Sequence, residues 1–212
     1  MNSGSHGPPG NALATGIATP GSNSIPAVAP LHPSVQPCAM PFDAIVRAAQ
    51  FAEQCHHGSA RKWTGEPYIE HPMRVAGRVL LLKGVEAIHV QAAWLHDVIE
   101  DCYITRENIC RMFGEPVAAI VHALTNPSKK LELRRKEAKA LYREHLATQP
   151  RWVKLIKLVD RIDNIRDSAA GPSDWKQRYG AESMLLAERL YIPGDDMLIK
   201  LVNELRSEIK RL

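Results

Sequence analysis

The chain has 212 residues, a formal net charge of +4 and 45% hydrophobic residues. This length predicts one compact domain of roughly 150 residues with some surplus. No apolar stretch approaches the roughly 20 residues that span a bilayer, which excludes integral membrane functions. The mild positive charge permits an anionic small-molecule substrate. The sequence lacks the dense basic stripe of a dedicated nucleic-acid-binding protein.

Residues 1–40 differ in composition from the rest of the chain. They contain none of the 27 lysines and arginines and none of the 23 aspartates and glutamates, but 7 of the 15 prolines. Because such a segment cannot offset the entropy cost of ordering, we predict a disordered tail over residues 1–40 and a folded domain over residues 41–212. The tail resembles neither a secretory signal nor a mitochondrial presequence, and the four cysteines stand singly. We therefore expect a cytoplasmic protein with reduced thiols.

From Pro41 onward, apolar residues recur at the three- and four-residue spacing of helices. Thr105 is a candidate N-cap for the fourth of these helices. No alternating strand pattern competes, so we predict an all-α, single-domain, multi-helix fold. The predicted helices run from residue 41 to a stop at 58, from 72 to a stop at 84, and over residues 86–101, 105–113, 115–124, 130–146, 152–169, 174–191 and 195–212.

The third predicted helix carries a polar cluster of His96, Asp97, Glu100 and Asp101. At about 100° per residue, these side chains share one arc of about 140°, and apolar residues fill the opposite arc. If His96 and Asp97 held a metal ion, Glu100 and Asp101 would lie within hydrogen-bonding distance of a water molecule bound to that ion. The alternative is an exposed acidic helix end without function. A histidine beside three carboxylates, backed by an apolar face, is unusual for a solvated surface.

A second cluster follows in Asp160, Asp163, Asn164 and Asp167. Their spacing of three, four and seven residues puts them on one face of a helix, with apolar residues on the other. Carboxylates and an amide thus face one site. Taken alone, this pattern favours an ordinary amphipathic helix with its polar side in water.

Three segments appear in a fixed order: residues 61–76 (RKWTGEPYIEHPMRVA), 94–102 (WLHDVIEDC) and 157–166 (KLVDRIDNIR). They resemble the HD phosphohydrolase pattern, and specifically the hydrolase domain of the RelA/SpoT alarmone enzymes, whose segments are close to RKxGEPYxxHPxxVA, LLHDVxEDT and KLADRxxNxR. The resemblance covers about residues 42–170. Since the 212 residues hold no synthetase, TGS or ACT region, the chain resembles the stand-alone small alarmone hydrolases.

The resemblance implies a divalent metal ion, usually manganese in that family, held by His71, His96, Asp97 and Asp160. Two imidazoles and two carboxylates would also suit Zn²⁺, Fe²⁺ or Ni²⁺. The identity of the metal therefore comes from the family and not from the chemistry of the ligands.

Further roles are implied by the same resemblance. Glu100 and Asp101 match the pair that orients and deprotonates the attacking water. Arg61 matches the residue that stacks on the guanine, Lys62 follows it into the pocket, and Asn164 matches a pocket residue near the nucleoside. Arginine suits the first of these positions because a planar guanidinium can cover a purine face while its charge attracts phosphates.

Other positions are open to two interpretations. Asp163 stands where the family often has histidine, so we expect extra negative charge near an anionic substrate and an effect on base specificity. The basic run over residues 129–139 is usually a solvated helix face. It could also receive the 5′-diphosphate, and Arg178 on the helix after Asp160 is a candidate for a phosphate contact.

The resemblance thus implies a manganese-dependent hydrolase that removes pyrophosphate from the 3′ position of guanosine tetra- and pentaphosphate, (p)ppGpp. One alternative is an HD phosphohydrolase of another nucleotide, such as a 2′-phosphatase acting on NADPH. A second is a catalytically silent HD module that senses a nucleotide. The intact metal ligands and Glu-Asp pair argue against the second alternative, since a pure sensor need not keep them.

Overall fold

The computed structural model describes Met1, residues 41–126 and residues 134–212. Within these ranges the only extended pairing is an isolated antiparallel bridge between Ala60 and Pro67, so the all-α prediction is confirmed. The predicted tail, Met1 aside, lies outside the described residues, as do residues 129–133 of the basic run. The described helices are α1 (Pro41–Cys55), α2 (Glu70–Leu80), α3 (Ala87–Leu95), α4 (Val98–Asp101), α5 (Arg106–Phe113), α6 (Glu115–Leu124), α7 (Arg135–Thr148), α8 (Arg151–Ser168), α9 (Ser173–Leu190) and α10 (Asp196–Ile209).

Helices α3 and α8 form the centre of the fold. Helix α3 packs against α1, α2, α6 and α8, and α8 also contacts α2, α6, α9 and α10. Twelve of the 18 residues of α8 are buried, and Asp160 is only 2% exposed. The polar side of α8 is therefore not in water, which rules out the solvated amphipathic helix that its sequence alone would favour. Among the described residues, no helix is long and apolar enough to cross a membrane.

Local signals explain where several helices begin. The Thr105 hydroxyl accepts a hydrogen bond from the N–H of Asn108 (3.2 Å), and the Asn108 side chain accepts one from the N–H of Thr105 (3.0 Å). Thr105 is therefore the N-cap of α5, as predicted, and the reciprocal bond from the Asn108 side chain satisfies a second backbone N–H at this end. Helix α6 has the predicted bounds, and it starts after Gly114, whose φ of +86° favours glycine.

The prediction of one continuous helix over residues 86–101 is wrong. Helix α3 ends at Leu95, and α4 begins at Val98. Asp97, at φ −102° and ψ −9°, is the N-cap of α4, and its carbonyl accepts the N–H groups of Glu100 and Asp101 (3.0 Å each). Hydrophobic periodicity continues through this turn and therefore did not reveal it. The break places His96 and Asp97 at a junction between two helices.

Candidate active site

The four predicted ligands lie together. The Nε2 atoms of His71 on α2 and of His96, directly after α3, are 3.2 Å apart. Asp97 Oδ2 lies 3.5 Å from the first and 3.1 Å from the second. Asp160 Oδ1, from α8, lies 3.3 and 3.7 Å from the same two nitrogens. Three separate parts of the sequence thus converge on one point between the helices.

The outer nitrogens of both imidazoles are already bonded. His96 Nδ1 lies 2.8 Å from the carbonyl oxygen of Ala93, and His71 Nδ1 lies 2.7 Å from Asp163 Oδ2. Because a carbonyl and a carboxylate can only accept, each Nδ1 donates its proton, and in the neutral ring each Nε2 presents a lone pair to the centre. When both rings are neutral, these two lone pairs lie 3.2 Å apart and repel, so the arrangement needs a proton or a metal ion between the two nitrogens. His71, His96 and Asp97 accordingly form a group that could hold a metal ion.

The charges at the centre support a cation. Burial of the imidazole opposes protonation, but Asp160, Asp163 and Asp97 outweigh it and raise the pKa of His71 to about 9. The pKa of His96 is also raised against the effect of burial, chiefly by Asp97. Burial opposes ionisation of Asp97, but the two imidazoles hold the pKa of its carboxyl well below the usual range. The site is therefore built to accommodate positive charge beside ionised carboxylates.

Glu100 and Asp101 lie on α4, beside the ligand cluster. Glu100 Oε1 accepts a hydrogen bond from the backbone N–H of Asn126 (2.7 Å), which ties α4 to the end of α6. The Tyr68 hydroxyl donates to Asp97 Oδ2 (2.7 Å) and lies 3.2 Å from Asp101 Oδ2. Burial, and then the charge of Asp97, raises the pKa of Tyr68, so its hydroxyl keeps its proton. One phenol thus connects a candidate metal ligand to a candidate proton acceptor.

The role of Tyr68 was not apparent from the sequence, where it is one residue of a motif. Its ring stacks on His56 (4.6 Å between centroids), and the Arg61 guanidinium lies 5.4 Å from its centroid. His56 in turn lies 3.4 Å from the sulfur of Cys102. These contacts join distant segments of the chain, so no local pattern could have indicated them.

A cavity of about 360 Å³ opens beside the cluster. One part of its wall is acidic and includes Asp97, Glu100, Asp101 and Asp160. Such a cavity suits an anionic ester whose phosphates meet basic groups while the acidic groups hold a cation and accept a proton. The basic and aromatic residues that line it are Tyr68, Lys139, Tyr142, Arg143, Lys157, Arg161, Trp175 and Tyr179.

Two of the predicted substrate residues are bonded to each other. Asn164 lines the cavity, and its amide donates to Asp160. Arg61 is only 7% exposed, donates to Asn164 Oδ1 (2.7 Å) and pairs with Asp167 (3.1 Å). Thr64 Oγ1 also donates to Asp167 (3.1 Å). Arg61 therefore lies behind Asn164 and is not among the residues that line the cavity.

The other two predicted substrate residues lie farther from the cluster. Lys62 is exposed, and its ammonium lies 4.4 Å from the centroid of the Trp63 ring. Arg178 pairs with Asp174 (2.8 Å) and lines a second cavity of about 410 Å³. This second cavity adjoins the first, because both are lined by Lys139, Arg143, Trp175, Tyr179 and Glu182.

Asp163 does not have the surroundings that the sequence suggested. Its oxygens face His71 and Arg74, and it is not among the residues that line either cavity near the cluster. Its carboxylate is therefore directed at His71 and Arg74 rather than into a cavity, and an effect of its charge on base specificity stays a prediction. The i, i+3 spacing from Asp160 does not distinguish a side chain that faces the substrate from one that faces a neighbouring helix.

Comparison with known proteins gives consistent matches. A family model described as an HD domain matches residues 48–190. The chain is 37% identical over 146 residues to a Vibrio cholerae protein named guanosine-3′,5′-bis(diphosphate) 3′-pyrophosphohydrolase, covering 68% of this chain and 20% of the relative. An Aquifex aeolicus protein of the same name is 37% identical over 142 residues, covering 66% of this chain and 20% of that protein.

A solved structure is similar as well. It is described as a metazoan ortholog of SpoT that hydrolyses ppGpp, and it superposes with a TM-score of 0.69 at 26% sequence identity. The match covers 80% of this chain and 97% of that one. The chain spans about one fifth of the length of the curated relatives named above, whereas it covers nearly all of the solved metazoan chain.

Proposed function

Because this chain belongs to the HD-domain family, we propose that it is a metal-dependent phosphohydrolase that removes pyrophosphate from the 3′ position of (p)ppGpp, giving GDP or GTP. The observation that carries the proposal is a cavity beside the imidazole cluster that is lined by both acidic and basic side chains. The names of the relatives from Vibrio and Aquifex, and the description of the metazoan structure, support this choice of substrate.

In this proposal His71, His96, Asp97 and Asp160 hold the metal, and the metal is Mn²⁺. The converging nitrogen lone pairs and the two carboxylates provide a donor set that fits a divalent ion. When bound, the ion would lower the pKa of a water molecule and polarise the phosphoryl group. Lys157 lies 2.7 Å from Asp160 Oδ2, so it keeps that carboxylate ionised and oriented.

Proton transfer is assigned to Glu100 and Asp101. Glu100 is oriented by the N–H of Asn126, and Asp101 by the Tyr68 hydroxyl. A carboxylate at this position can accept the proton of the attacking water. Lys139 and Arg143 line the same cavity and would take up the charge that develops on the leaving pyrophosphate.

Substrate binding is assigned to Arg61, Lys62, Asn164 and Arg178. Asn164 lines the cavity at the ligand cluster, and Arg178 lines the adjoining one. Arg61 would act on the nucleoside in one of two ways. It would orient Asn164 through their hydrogen bond, or it would leave Asp167 and stack on the base. We propose that the reaction takes place in the cytoplasm, in line with the free thiols of Cys55, Cys102 and Cys110 among the described residues.

The decisive experiment is product analysis after incubation of the purified protein and Mn²⁺ with ppGpp, pppGpp, NADPH and cyclic dinucleotides. We expect pyrophosphate to be released from the two alarmones alone. Phosphate release from NADPH would instead identify a 2′-phosphatase. Nucleotide binding without any product would indicate a silent sensor.

A further inference from the structure

We propose that Asp163 is a positioning residue that fixes the His71 imidazole for metal binding and that Arg74 holds Asp163 in place. The inference rests on the proposed function in one respect only, since it takes His71 as a metal ligand. Neither Asp163 nor Arg74 is among the residues that line the cavity, so both would act through His71 rather than on the substrate.

Every oxygen of the Asp163 carboxylate is engaged. Oδ2 lies 2.7 Å from His71 Nδ1 and accepts from the terminal nitrogen of Arg74 at 3.2 Å. Oδ1 accepts from Arg74 Nε at 2.8 Å. The guanidinium thus binds the carboxylate through two nitrogens, and its third nitrogen pairs with Glu66 at 3.2 Å. This two-point contact fixes the plane of the carboxylate and directs Oδ2 at the imidazole.

The contact determines what His71 can present to the metal. An ionised carboxylate accepts the Nδ1 proton, which leaves a lone pair on Nε2 and prevents the ring from flipping. A carboxylate partner also makes the imidazole a stronger electron donor. His96 has only the neutral carbonyl of Ala93 at the corresponding place. Asp163 is 4% exposed, so solvent weakens its interaction with His71 very little.

The two helices contribute in the same way. Helix α2 supplies His71 and, three residues later, Arg74, while α8 supplies Asp160 and, three residues later, Asp163. Residues at this spacing lie on the same side of a helix. Each helix therefore provides one candidate ligand and one supporting group, and the supporting groups bond across the helix interface. A shift of one helix relative to the other would disturb the ligand geometry and the support together.

The test is the affinity of the full-length protein for Mn²⁺ without nucleotide, measured by the electron paramagnetic resonance signal of free Mn²⁺. Loss of a carboxylate partner of this kind typically weakens metal binding about 10- to 100-fold, and we expect this for Asp163→Ala. Asp163→Asn keeps an oxygen that can accept the Nδ1 proton, so we expect it to recover part of that loss. Glu204→Gln is the matched control, because Glu204 pairs with Arg78 of the same helix α2 (2.7 Å) without touching a candidate ligand.

Thermal unfolding of the metal-free proteins separates this role from a structural one. We expect Asp163→Asn to unfold near the temperature of the unaltered protein while it binds Mn²⁺ more weakly. Should Asp163→Ala fail to fold, the double variant Asp163→Asn/Arg74→Gln, which keeps the shape of Asp163 and replaces the guanidinium with a shorter uncharged amide, carries the same expectation. Unchanged Mn²⁺ affinity in the folded variants would overturn the positioning role of Asp163 but leave the metal assignment intact. Absence of Mn²⁺ binding by the unaltered protein would overturn the metal assignment as well.

Discussion

The Nε2 atoms of His71 and His96 lie 3.2 Å apart, and both rings are held by hydrogen bonds at their opposite nitrogens. Neither ring can turn away without breaking such a bond, because one is bonded to Asp163 and the other to the Ala93 carbonyl. When both rings are neutral, their lone pairs repel, and a proton or a metal ion at the centre relieves this repulsion. Metal binding and the correct arrangement of the site should be closely linked.

The first prediction concerns metal retention. Asp97 Oδ2 lies within 3.5 Å of both Nε2 atoms, so Asp97→Ala should abolish metal retention and activity together. Elemental analysis of the purified variant measures metal retention. Chelation of the unaltered protein should abolish its activity, and adding Mn²⁺ back should restore more activity than adding other metals. Asp43→Ala, which removes an exposed carboxylate on α1, is the control. Stoichiometric metal in Asp97→Ala would show that the ligand assignment is wrong.

The second prediction separates proton transfer from binding. In Glu100→Gln the amide oxygen can still accept the N–H of Asn126, so the position of α4 should be kept while the basic group is lost. Loss of a general base typically costs about 10² to 10⁴ in rate. We expect turnover at least about a hundredfold slower, with near-normal binding of ppGpp and metal, as measured by steady-state kinetics and calorimetry. Near-native turnover of Glu100→Gln would show that Glu100 takes no part in proton transfer. Loss of metal from this variant would indicate that Glu100 is a metal ligand.

The third prediction concerns the Tyr68 hydroxyl. Tyr68→Phe keeps the ring that stacks on His56 but removes the donor shared by Asp97 and Asp101. A hydrogen bond to a charged group contributes about 1.5–3 kcal/mol, so kcat should fall about 10- to 100-fold with little change in KM. Tyr103→Phe removes a hydroxyl from a side chain that is 94% exposed and should have native kinetics. The idea fails if Tyr68→Phe and Tyr103→Phe have the same kcat.

The fourth prediction is a pH dependence of stability at the start of α10. Asp195 accepts from Arg151 (2.9 Å) and from the N–H of Leu198 (3.2 Å). The hydrogen bond from Arg151 lowers the pKa of Asp195, although burial opposes this. A lowered pKa in the folded state means that the stabilisation is complete above the unfolded pKa of about 3.9 and is lost as the pH falls through the folded value.

Loss of such a helix cap costs about 1 kcal/mol, so Asp195→Ala should lower the free energy of unfolding by about that amount at pH 7. The difference from the unaltered protein should shrink below about pH 4. Urea unfolding at a series of pH values measures it. Asp196→Ala removes a neighbouring exposed carboxylate and should cost less. A difference that grows on acidification would contradict the assigned sign.

The sequence indicated most of the helices, because amphipathic periodicity and caps such as Thr105 act locally. It also identified the four residues that converge at the imidazole cluster, through motif order. It could not indicate the turn at Asp97, because apolar spacing is insensitive to a single backbone angle. The contact of Asp163 with Arg74, and the burial of Arg61, depend on how α2 and the loop before it pack on α8. Such contacts between distant segments leave no periodic signal.

One acidic side chain of α8, Asp167, contacts the segment around Arg61 at two points. One oxygen of Asp167 accepts from Thr64, and the other pairs with Arg61. A change at position 167 would therefore remove one contact from each of two residues, Arg61 and Thr64, and a change at position 61 or 64 would leave the carboxylate with one partner fewer. A single substitution at any of these positions should therefore be tolerated poorly. Among descendants of this sequence, we expect substitutions at positions 61, 64 and 167 to occur together, as correlated changes rather than independent drift.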